Sequence, residues 1–241
     1  MFTEEYRIGY RGLNAALEAG APLIIELMQE TSTRHTDSTV FPMSYYAENK
    51  LGFIITNSAL SINRAPKLGE TVTVETAPCS FKGMIAQRFY RMSDAEGHII
   101  AESYTHWVLI DLSNRKPIRI PAELARSYGA VHICDGYKDT VIPEPGEGPV
   151  INTERFRASR RDADSNMHVN NIAYIAWAED YVPEEVFGKK RVKIIKARYR
   201  KECLAGEAVD AQTRLEGDSA YLSRFTGGDG AVMAEVYSLW I

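Results

Sequence analysis

Residues 101–107 read AESYTHW, and residues 234–240, at the end of the 241-residue chain, read AEVYSLW. Alanine, glutamate, tyrosine and tryptophan recur at identical spacing in the two stretches. Further upstream, each half has a Gly-Glu pair, at 69–70 and at 206–207, which opens a stretch of strand-favouring residues. Self-similarity of this kind is the signature of a repeated structural unit. The sequence therefore predicts two copies of one module.

Each copy has the residue pattern of one helix followed by four long strands. Helices are predicted over residues 22–35 and 170–181, because apolar residues recur there at helical spacing. Turn residues separate the predicted strands, which cover 52–64, 71–76, 85–92 and 98–111 in the first copy and 191–201, 208–214, 220–226 and 231–241 in the second. On this alignment Arg88-Phe89 corresponds to Arg224-Phe225. The pattern predicts an α+β fold, and the proline- and glycine-containing stretch 117–148 is predicted to link the copies.

The composition excludes several classes of protein. The net charge of −4 and the pI near 5.8 argue against a nucleic-acid binder. No run of about 18 apolar residues occurs, so no membrane span is predicted, and the N-terminal MFTEEYRIGYRG does not have the pattern of a signal peptide. Three scattered cysteines, Cys79, Cys134 and Cys203, indicate a reducing cytoplasm rather than a disulfide framework. Because no cysteine or histidine pair has zinc-ligand spacing, no metal is predicted, and no other cofactor.

The two copies differ where chemistry is expected. Alignment on the Gly-Glu pairs places Glu202 opposite Ala65. Residues 161–171, before the second helix, read RDADSNMHVNN, whereas residues 17–22, before the first helix, read LEAGAP and contain no histidine. The first copy therefore lacks the acid and the imidazole that the second copy has. These differences predict one chemical centre, in the second copy, with the first copy used for binding or packing.

The segment that contains Asp164, Asn166 and His168 ends where the second helix is predicted to begin. The free amides and partial positive charge of a helix N-terminus can polarise a carbonyl oxygen and stabilise an oxyanion. His168 and Asn166 add further donors, and Glu202, predicted to lie on a strand that the helix crosses, would approach His168 and act as a base towards water. Three structural alternatives stay open: Asp164 or Asn166 only caps the helix, His168 has a structural role, and Glu202 faces solvent.

Cys203, next to Glu202, offers a second chemistry. A thiolate at Cys203, activated by His168, would be a nucleophile, whereas a buried Cys203 would be a small core residue. Adjacent strand residues point to opposite faces of a sheet, so Glu202 and Cys203 are not expected to face one site. This geometry favours Glu202 as the functional residue.

Three stretches of the chain resemble the acyl-acyl carrier protein (acyl-ACP) thioesterases. That family shows D-x-N-x-H-V-N-N-x-x-Y-x-x-W at the start of its second helix, followed by a glutamate, and the same pattern runs here from Asp164 to Trp177, followed by Glu179. Residues 199–203, YRKEC, resemble the family's Y-R-R-E-C strand, and residues 107–121 resemble the end of its first domain.

The resemblance implies an α+β fold of two tandem hotdog domains, in each of which an antiparallel sheet wraps a long helix. It implies an N-terminal domain over 1–130 with the acyl-chain pocket and no catalytic set, a linker over 131–150, and a catalytic C-terminal domain over 151–241. The implied reaction is hydrolysis of the thioester of a fatty acyl-ACP, which releases the free fatty acid and holo-ACP.

The resemblance also implies which residues carry the reaction. Asp164, Asn166, His168 and Glu202 would form the catalytic set. Glu202 and His168 would activate water, and Asp164 would orient its neighbours by hydrogen bonding. Asn166 and the backbone amides near Val169 would hold the carbonyl group of the substrate.

Further residues are predicted to contact the substrate. Asn170 and Asn171 follow Val169 in the segment that would hold the thioester. Ile24, Leu27 and Met28 share one face of the first helix, which the resemblance assigns to the wall of the acyl pocket. An ordinary core position explains each of these three residues equally well.

The predicted partner is acyl carrier protein. Residues 189–201 read KKRVKIIKARYRK and contain no acidic residue, so a basic surface there would steer that acidic protein. A solvated strand with charges alternating outward explains the run equally well. An acyl-CoA thioesterase, a non-catalytic acyl-binding or regulatory hotdog protein and a dehydratase acting on hydroxyacyl carriers remain alternatives. The sequence leaves the oligomeric state open, a homodimer included.

Overall fold

The chain forms two compact units, Met1–Thr140 and Val141–Ile241. The computed structural model describes residues 1–129, 140–164 and 167–241. Each unit contains one long helix and a five-stranded antiparallel sheet. The predicted domain limits, at 130 and 151, stay predictions, and residues 131–139 of the predicted linker lie outside the described residues.

The described residues of the first unit form six strands and three helices. In chain order they are β1 Phe2–Arg7, α1 Ala21–Asp37, α2 Met43–Glu48, β2 Leu51–Ile62, β3 Thr71–Lys82, β4 Ile85–Ser93, β5 Ile99–Asp111, β6 Lys116–Pro117 and α3 Ala122–Ser127. The main strands lie in the order β1-β3-β4-β5-β2, and the short β6 pairs with β5. All pairings within this unit are antiparallel.

The second unit has the same plan, and its described residues form two α-helices and one 3-10 turn. Its elements are β7 Val150–Arg157, a 3-10 turn Arg160–Asp162, α4 Asn171–Asp180, α5 Glu184–Phe187, β8 Val192–Tyr199, β9 Ala208–Leu215, β10 Ala220–Gly227 and β11 Val232–Trp240. Its strands lie in the order β7-β9-β10-β11-β8. The repeated motif occupies β5 in one unit and β11 in the other, the fourth position of each sheet.

The strand register corrects one detail of the predicted alignment. Ala101 on β5 lies opposite Met92, and Ala234, its counterpart on β11, lies opposite Phe225. Arg224-Phe225 therefore corresponds to Arg91-Met92, and the alignment with Arg88-Phe89 was wrong. The two hairpins are equally long, so counting back from the turn glycine in each copy, rather than matching an Arg-Phe pair, gives the true register.

Helix α1 is two residues longer at its C-terminal end than predicted, and its start agrees within one residue. Proline in the first turn suits this position because its missing N–H would have no intrahelical partner. The buried face consists of Ala21, Ile24, Ile25, Met28 and Thr31. This face packs against β3, with further contacts to β1 and β4.

Two predictions were wrong, one about the region between the two copies and one about the cysteines. The stretch 117–148, predicted to be a linker, contains α3, whose Leu124 is buried in a cluster with Tyr46 and Leu109 of the first unit. A single buried leucine in a short helix is too weak a periodic signal for sequence analysis to detect. Cys79 is disulfide-bonded, whereas Cys203 is free.

The core of the second unit is aromatic. Tyr174 and Trp177 of α4 both contact the ring of Phe225 on β10, with ring centroids 5.6 and 5.7 Å apart. Phe156 on β7 packs edge-on against Trp177 at 4.8 Å. Large rings contribute much buried area per residue, which fixes the short α4 on its sheet. Within the described parts of the chain, no helix is both long and apolar enough to cross a membrane.

Lowering the pH from about 6.5 to 4 should weaken the first unit through His35. Burial, then the charges of Arg88 and the N-terminal amine, lower the pKa of His35 to about 4. The unfolded chain, with a histidine pKa near 6.5, binds a proton that the folded chain resists, so up to about 3 kcal/mol of stability is lost as the pH falls through this window. Denaturant unfolding should show a steeper pH dependence in the native protein than in His35→Gln. Equal slopes for the two proteins would contradict this assignment.

Candidate active site

Asp164 and His168 lie at the two ends of a tight loop. The Asp164 N–H donates to the carbonyl of His168 at 2.8 Å, and the His168 N–H donates to Oδ1 of Asp164 at 3.2 Å. Met167 has a φ of 63°, in the left-handed region that a tight reversal requires. Asp164 therefore fixes the backbone of His168. The cap of α4 is instead Asn170, whose Oδ1 accepts from the Ile172 N–H at 2.9 Å.

Two backbone hydrogen bonds fix this loop against the chain that follows β8. The Val169 N–H donates to the carbonyl of Cys203 at 2.8 Å, and the Ala205 N–H donates to the carbonyl of Met167 at 3.1 Å. His168 thereby lies opposite Leu204 in an antiparallel bridge. This pairing fixes the sequence register between a histidine segment and a glutamate segment that are 34 residues apart.

The imidazole and the predicted acid lie close together. Nε2 of His168 lies 3.5 Å from Oε2 of Glu202. The His168 side chain is 21% exposed and that of Glu202 is 43% exposed, so water can reach the carboxylate. Hydrogen bonds between catalytic groups are often long in the absence of substrate. The arrangement suits a carboxylate and an imidazole that share the activation of a water molecule.

Glu202 does not lie on a strand, contrary to the prediction. Strand β8 ends at Tyr199, and the N–H groups of Arg200 and Lys201 both donate to the carbonyl of Met233. Because two successive amides share one acceptor, the alternating hydrogen-bond pattern of the strand ends here. The residues YRKEC favour an extended chain throughout, so the sequence did not reveal the end of β8. The contact with His168 therefore depends on the loop pairing rather than on a helix that crosses a strand.

Cys203 is buried, and its environment disfavours a thiolate. The residue is 1% exposed. Burial, together with the neighbouring carboxylate of Glu207, raises the pKa of the Cys203 thiol to about 11. A thiol with such a pKa is protonated at neutral pH and is a poor nucleophile. This environment favours the alternative in which Cys203 is a small core residue.

The amides at the start of α4 are less available than the sequence predicted. The Val169 N–H is already bound to Cys203, and the Asn170 N–H donates to the carbonyl of Asp162 at 2.7 Å. The contact of the Val169 amide with a substrate carbonyl therefore stays a prediction, and it would have to share or replace the bond to Cys203. Within the described residues, the N–H of Asn171 makes no hydrogen bond, and its side-chain Nδ2 is buried without a partner. Asn166, the other predicted donor, lies outside the described residues.

The first unit contains the same loop without the reactive side chains. The Asn14 N–H donates to the carbonyl of Glu18 at 2.9 Å, and the Glu18 N–H donates to Oδ1 of Asn14 at 3.0 Å. Ala19 donates to the carbonyl of Pro66 at 2.8 Å, and Leu17 has a φ of 59°. Each of these features has its counterpart between Asp164 and Cys203.

This correspondence locates the difference between the copies. Glu18 stands where the second unit has His168, and Ala65 stands where it has Glu202. The backbone hydrogen bonds of the loop are the same in both units, so the difference is confined to side chains. The sequence alignment of Ala65 with Glu202 agrees with these pairings.

The residues predicted to line an acyl pocket are mostly buried. Ile24 and Met28 are fully buried on the face of α1 that packs on β3, while Leu27 is only half-buried. Ile25, which was not predicted, is buried as well. These positions fit both a core and a pocket wall, so their contact with substrate stays a prediction.

One cluster of acidic and histidine side chains lies in the turn between β4 and β5. Ligand-type atoms of Asp94, Glu96 and His98 lie within 4.8 Å of one another. Oδ1 of Asp94 already accepts the N–H groups of Glu96 and His98, and Oδ2 pairs with Arg64 at 3.1 Å. The aspartate therefore stabilises the turn, and the prediction that the chain holds no metal stays untested.

Sequence comparison identifies the family over nearly the whole chain. The family model for the acyl-ACP thioesterase N-terminal domain matches residues 1–128, and that for the acyl-ACP thioesterase C-terminal domain matches residues 149–241. The chain is 25% identical over 227 residues to oleoyl-acyl carrier protein thioesterase 2 of Arabidopsis thaliana, covering 86% of this chain and 61% of that protein. It is 23% identical over 234 residues to the dodecanoyl-[acyl-carrier-protein] hydrolase of Cinnamomum camphora, covering 88% and 60%. The chain thus spans about three fifths of the length of these plant relatives.

Solved structures agree with the fold. An acyl-ACP thioesterase from Bacteroides thetaiotaomicron has a TM-score of 0.85 at 18% identity, covering 99% of this chain and 97% of that one. The 12:0-ACP thioesterase from Umbellularia californica has a TM-score of 0.87 at 20% identity, covering 100% and 96%. The predicted α+β fold of two tandem hotdog domains is confirmed. Together with the two family matches, it shows that the chain belongs to the acyl-ACP thioesterase family.

Proposed function

We propose that the chain hydrolyses the thioester bond of fatty acyl-ACP and releases a free fatty acid and holo-ACP. Family membership supports the class of reaction. The observation that carries the mechanism is the 3.5 Å separation of His168 Nε2 and Glu202 Oε2 within one unit. The oleoyl- and dodecanoyl-ACP activities in the names of the plant relatives support a fatty acyl substrate.

The reaction follows from the chemistry of the two side chains. Glu202, with His168, takes a proton from water as the water oxygen attacks the thioester carbonyl carbon. The resulting tetrahedral oxyanion needs hydrogen-bond donors, and we assign the Asn166 side chain and the amide of Asn171 to this role. When the intermediate collapses, the carbon–sulfur bond breaks, and the leaving thiolate recovers the proton from the same pair of residues. Asp164 positions His168 through the hydrogen bond to its N–H.

The partner we propose is acyl carrier protein. Residues 189–201 contain eight basic residues and no acidic one. Part of this charge is neutralised locally, because Arg198 and Arg200 pair with Glu235, and Lys201 pairs with Asp229. Two guanidiniums share one carboxylate in that pairing, so an excess of positive charge remains to attract an acidic partner.

A panel of carriers tests this proposal. Purified protein should release free acid from palmitoyl-ACP with a higher kcat/KM than from palmitoyl-CoA. A strong preference for palmitoyl-CoA would show that the carrier is coenzyme A rather than ACP. Binding of the acyl group without release of acid would favour a non-catalytic hotdog protein, and formation of an enoyl product from hydroxyacyl-ACP would favour a dehydratase.

Cys203→Ala should keep at least about a third of the native kcat with palmitoyl-ACP, because a buried thiol with a raised pKa supplies no nucleophile. Steady-state turnover together with mass spectrometry of the protein during turnover checks this expectation. Loss of turnover in Cys203→Ala, combined with an acyl-enzyme in the native protein, would overturn the water mechanism.

The cellular compartment and the oligomeric state stay proposals. A cytoplasmic location was predicted partly from the cysteines, and the disulfide at Cys79 removes that support. The names of the plant relatives place those proteins in chloroplasts. A homodimer remains a proposal as well, which size-exclusion chromatography with light scattering tests.

A further inference from the structure

A belt of polar side chains crosses the helix-facing side of the sheet in the first unit. On β4, Arg88 lies opposite Thr105, and Tyr90 lies opposite Ser103 and Thr76 on the neighbouring strands. All five side chains are buried. The next row of the same face, Val74, Met92 and Ala101, is apolar. The interior of this unit therefore changes from apolar to polar along the strands.

Arg88 brings a positive charge into this belt without a counter-ion. One Nη1 donor contacts Oγ1 of Thr76 at 3.2 Å and Nδ1 of His35 at 3.1 Å, and the guanidinium lies 5.3 Å from the ring centroid of Tyr128. Among the described residues, no carboxylate pairs with Arg88. Burying an unpaired charge is costly unless a ligand or another group supplies the missing anion.

Tyr90 adds a second donor that lacks an acceptor. The residue is 1% exposed, and its hydroxyl lies near the side chains of Ser32 and Thr105 but makes no hydrogen bond of normal geometry within the described part of the chain. Tyr90 lies two positions from Arg88 on the same strand, so both side chains point to the same face of the sheet. A buried guanidinium without a carboxylate and a buried hydroxyl on the same face of β4 together offer two donors to an oxygen anion.

Helix α1 shows the same change of character. Ile24, Met28, Thr31 and His35 recur at helical spacing on the side that faces the sheet, and they change from apolar to polar towards the C-terminal end. Neutral His35 accepts from Arg88 and supplies no negative charge. An acyl chain lying along this face of α1 would contact apolar side chains first and the guanidinium of Arg88 last.

We propose that the first unit binds an acyl chain whose far end carries a carboxylate, held by Arg88 and Tyr90. This inference rests on the proposed function, which supplies the acyl-ACP class of substrate. The second unit offers a contrast, since the strand register places Tyr221 where the first unit has Arg88. The charged site is therefore specific to the copy that lacks the reactive pair.

Two substrates of equal length test the inference. The native protein should hydrolyse an acyl-ACP that ends in a carboxylate with a kcat/KM at least about tenfold higher than palmitoyl-ACP, because charge-assisted hydrogen bonds are strong in a buried site. Arg88→Met should lower the ratio of kcat/KM for the carboxylated substrate to kcat/KM for palmitoyl-ACP by roughly 100-fold. Arg91→Met is the matched control, since Arg91 lies on the same strand, faces the other way and pairs with Glu102 at 3.2 Å.

Each outcome decides between the two proposals. An equal loss of turnover with both substrates in Arg88→Met would make Arg88 a structural residue and overturn the inference, as would a native preference for palmitoyl-ACP. If Arg88→Met does not fold, Tyr90→Phe, which removes only a hydroxyl, should still reduce the preference for the carboxylated chain several-fold, and no reduction would overturn the inference.

Calorimetry separates the inference from the hydrolase proposal. Palmitic acid, which carries a carboxylate, should bind the native protein more tightly than the uncharged 1-hexadecanol does, and Arg88→Met should abolish the difference. If neither acyl-ACP is hydrolysed but this difference is found, the proposed function fails and the inference stands. If acetate or another short carboxylate binds as tightly as the long-chain acid, chain length contributes nothing to binding. The site would then belong to a free small anion, and the inference would be overturned.

Discussion

His168→Ala should lower kcat for palmitoyl-ACP by roughly 1,000-fold, and Glu202→Gln should lower it to a similar degree, because general acid–base groups of this kind contribute about 100- to 10,000-fold. The two side chains, 3.5 Å apart, act on one water molecule. Removing either one leaves the other without its partner, so the double variant should be little slower than each single variant. Steady-state kinetics at saturating substrate measure kcat, and thermal unfolding should show unchanged stability.

The duplication provides the control for this experiment. Glu18 occupies the position of His168 in the equivalent loop of the first unit, with the same backbone hydrogen bonds. Glu18→Ala should therefore leave kcat within about twofold of the native value, since surface changes away from the site have small effects. If His168→Ala retains a tenth or more of the native activity, the assignment of His168 and Glu202 as the catalytic pair is refuted.

Glu235→Ala should destabilise the protein by about 3 kcal/mol, the lower end of the cost of leaving buried ion-pair partners uncompensated. The Glu235 side chain is 3% exposed and pairs with Arg198 at 2.7 Å, Arg224 at 2.9 Å and Arg200 at 3.3 Å. Without it, three guanidiniums crowd one patch of the sheet. Their partial exposure permits some relaxation into solvent, which keeps the cost at that lower end. Urea denaturation measures the change in the free energy of unfolding.

Glu102 is the matched position in the first unit, because both glutamates follow the alanine of the repeated motif. The Glu102 side chain is 34% exposed and pairs with Arg91 at 3.2 Å. Glu102→Ala should cost less than about 1 kcal/mol, the usual range of a surface ion pair. Equal costs at the two positions would show that burial at Glu235 has no energetic role.

Acid should weaken the contribution of Glu235 to stability. Burial raises the pKa of Glu235, but the hydrogen bonds and charges of Arg198 and Arg224 outweigh it, so the net pKa is below the usual value. A carboxyl with a lowered pKa contributes stability that is present above its unfolded pKa of about 4.5 and is lost as the pH falls through the folded value. The stability difference between the native protein and Glu235→Ala should therefore shrink below about pH 4.5.

The sequence predicted the repeat because the motif strands carry strong periodic signals. AESYTHW and AEVYSLW lie on β5 and β11, where buried alanines and paired glutamates restrict the choice of residue. Helices α1 and α4 were predicted within two residues at each end, since proline and asparagine mark their starts. Helix α3 was missed, because one buried leucine provides its only strong anchor.

The predicted site pair, His168 and Glu202, lies together in the structure, but the reason was not readable from the sequence. Their approach depends on hydrogen bonds between Val169 and Cys203 and between Ala205 and Met167, which involve only backbone atoms. Backbone pairing between loops leaves no periodic pattern. For the same reason the occupied amide of Val169 could not be foreseen.

Arg88 was missed for a different reason. A strand arginine usually lies on the solvent side of a sheet, and only the register of β4 shows that Arg88 points towards α1. The wrong alignment of Arg88-Phe89 with Arg224-Phe225 hid this, because Arg224 does lie on the outer face with Glu235.

The printed hydrogen bonds of the loop between Asn14 and Glu18 match those of the described residues between Asp164 and His168. The geometry of this turn therefore forms whether or not an imidazole or an acid is attached to it. A change of side chains alone is enough to give such a turn a reaction centre or to remove one, because the hydrogen bonds that shape it belong to the backbone and to the residue at its start.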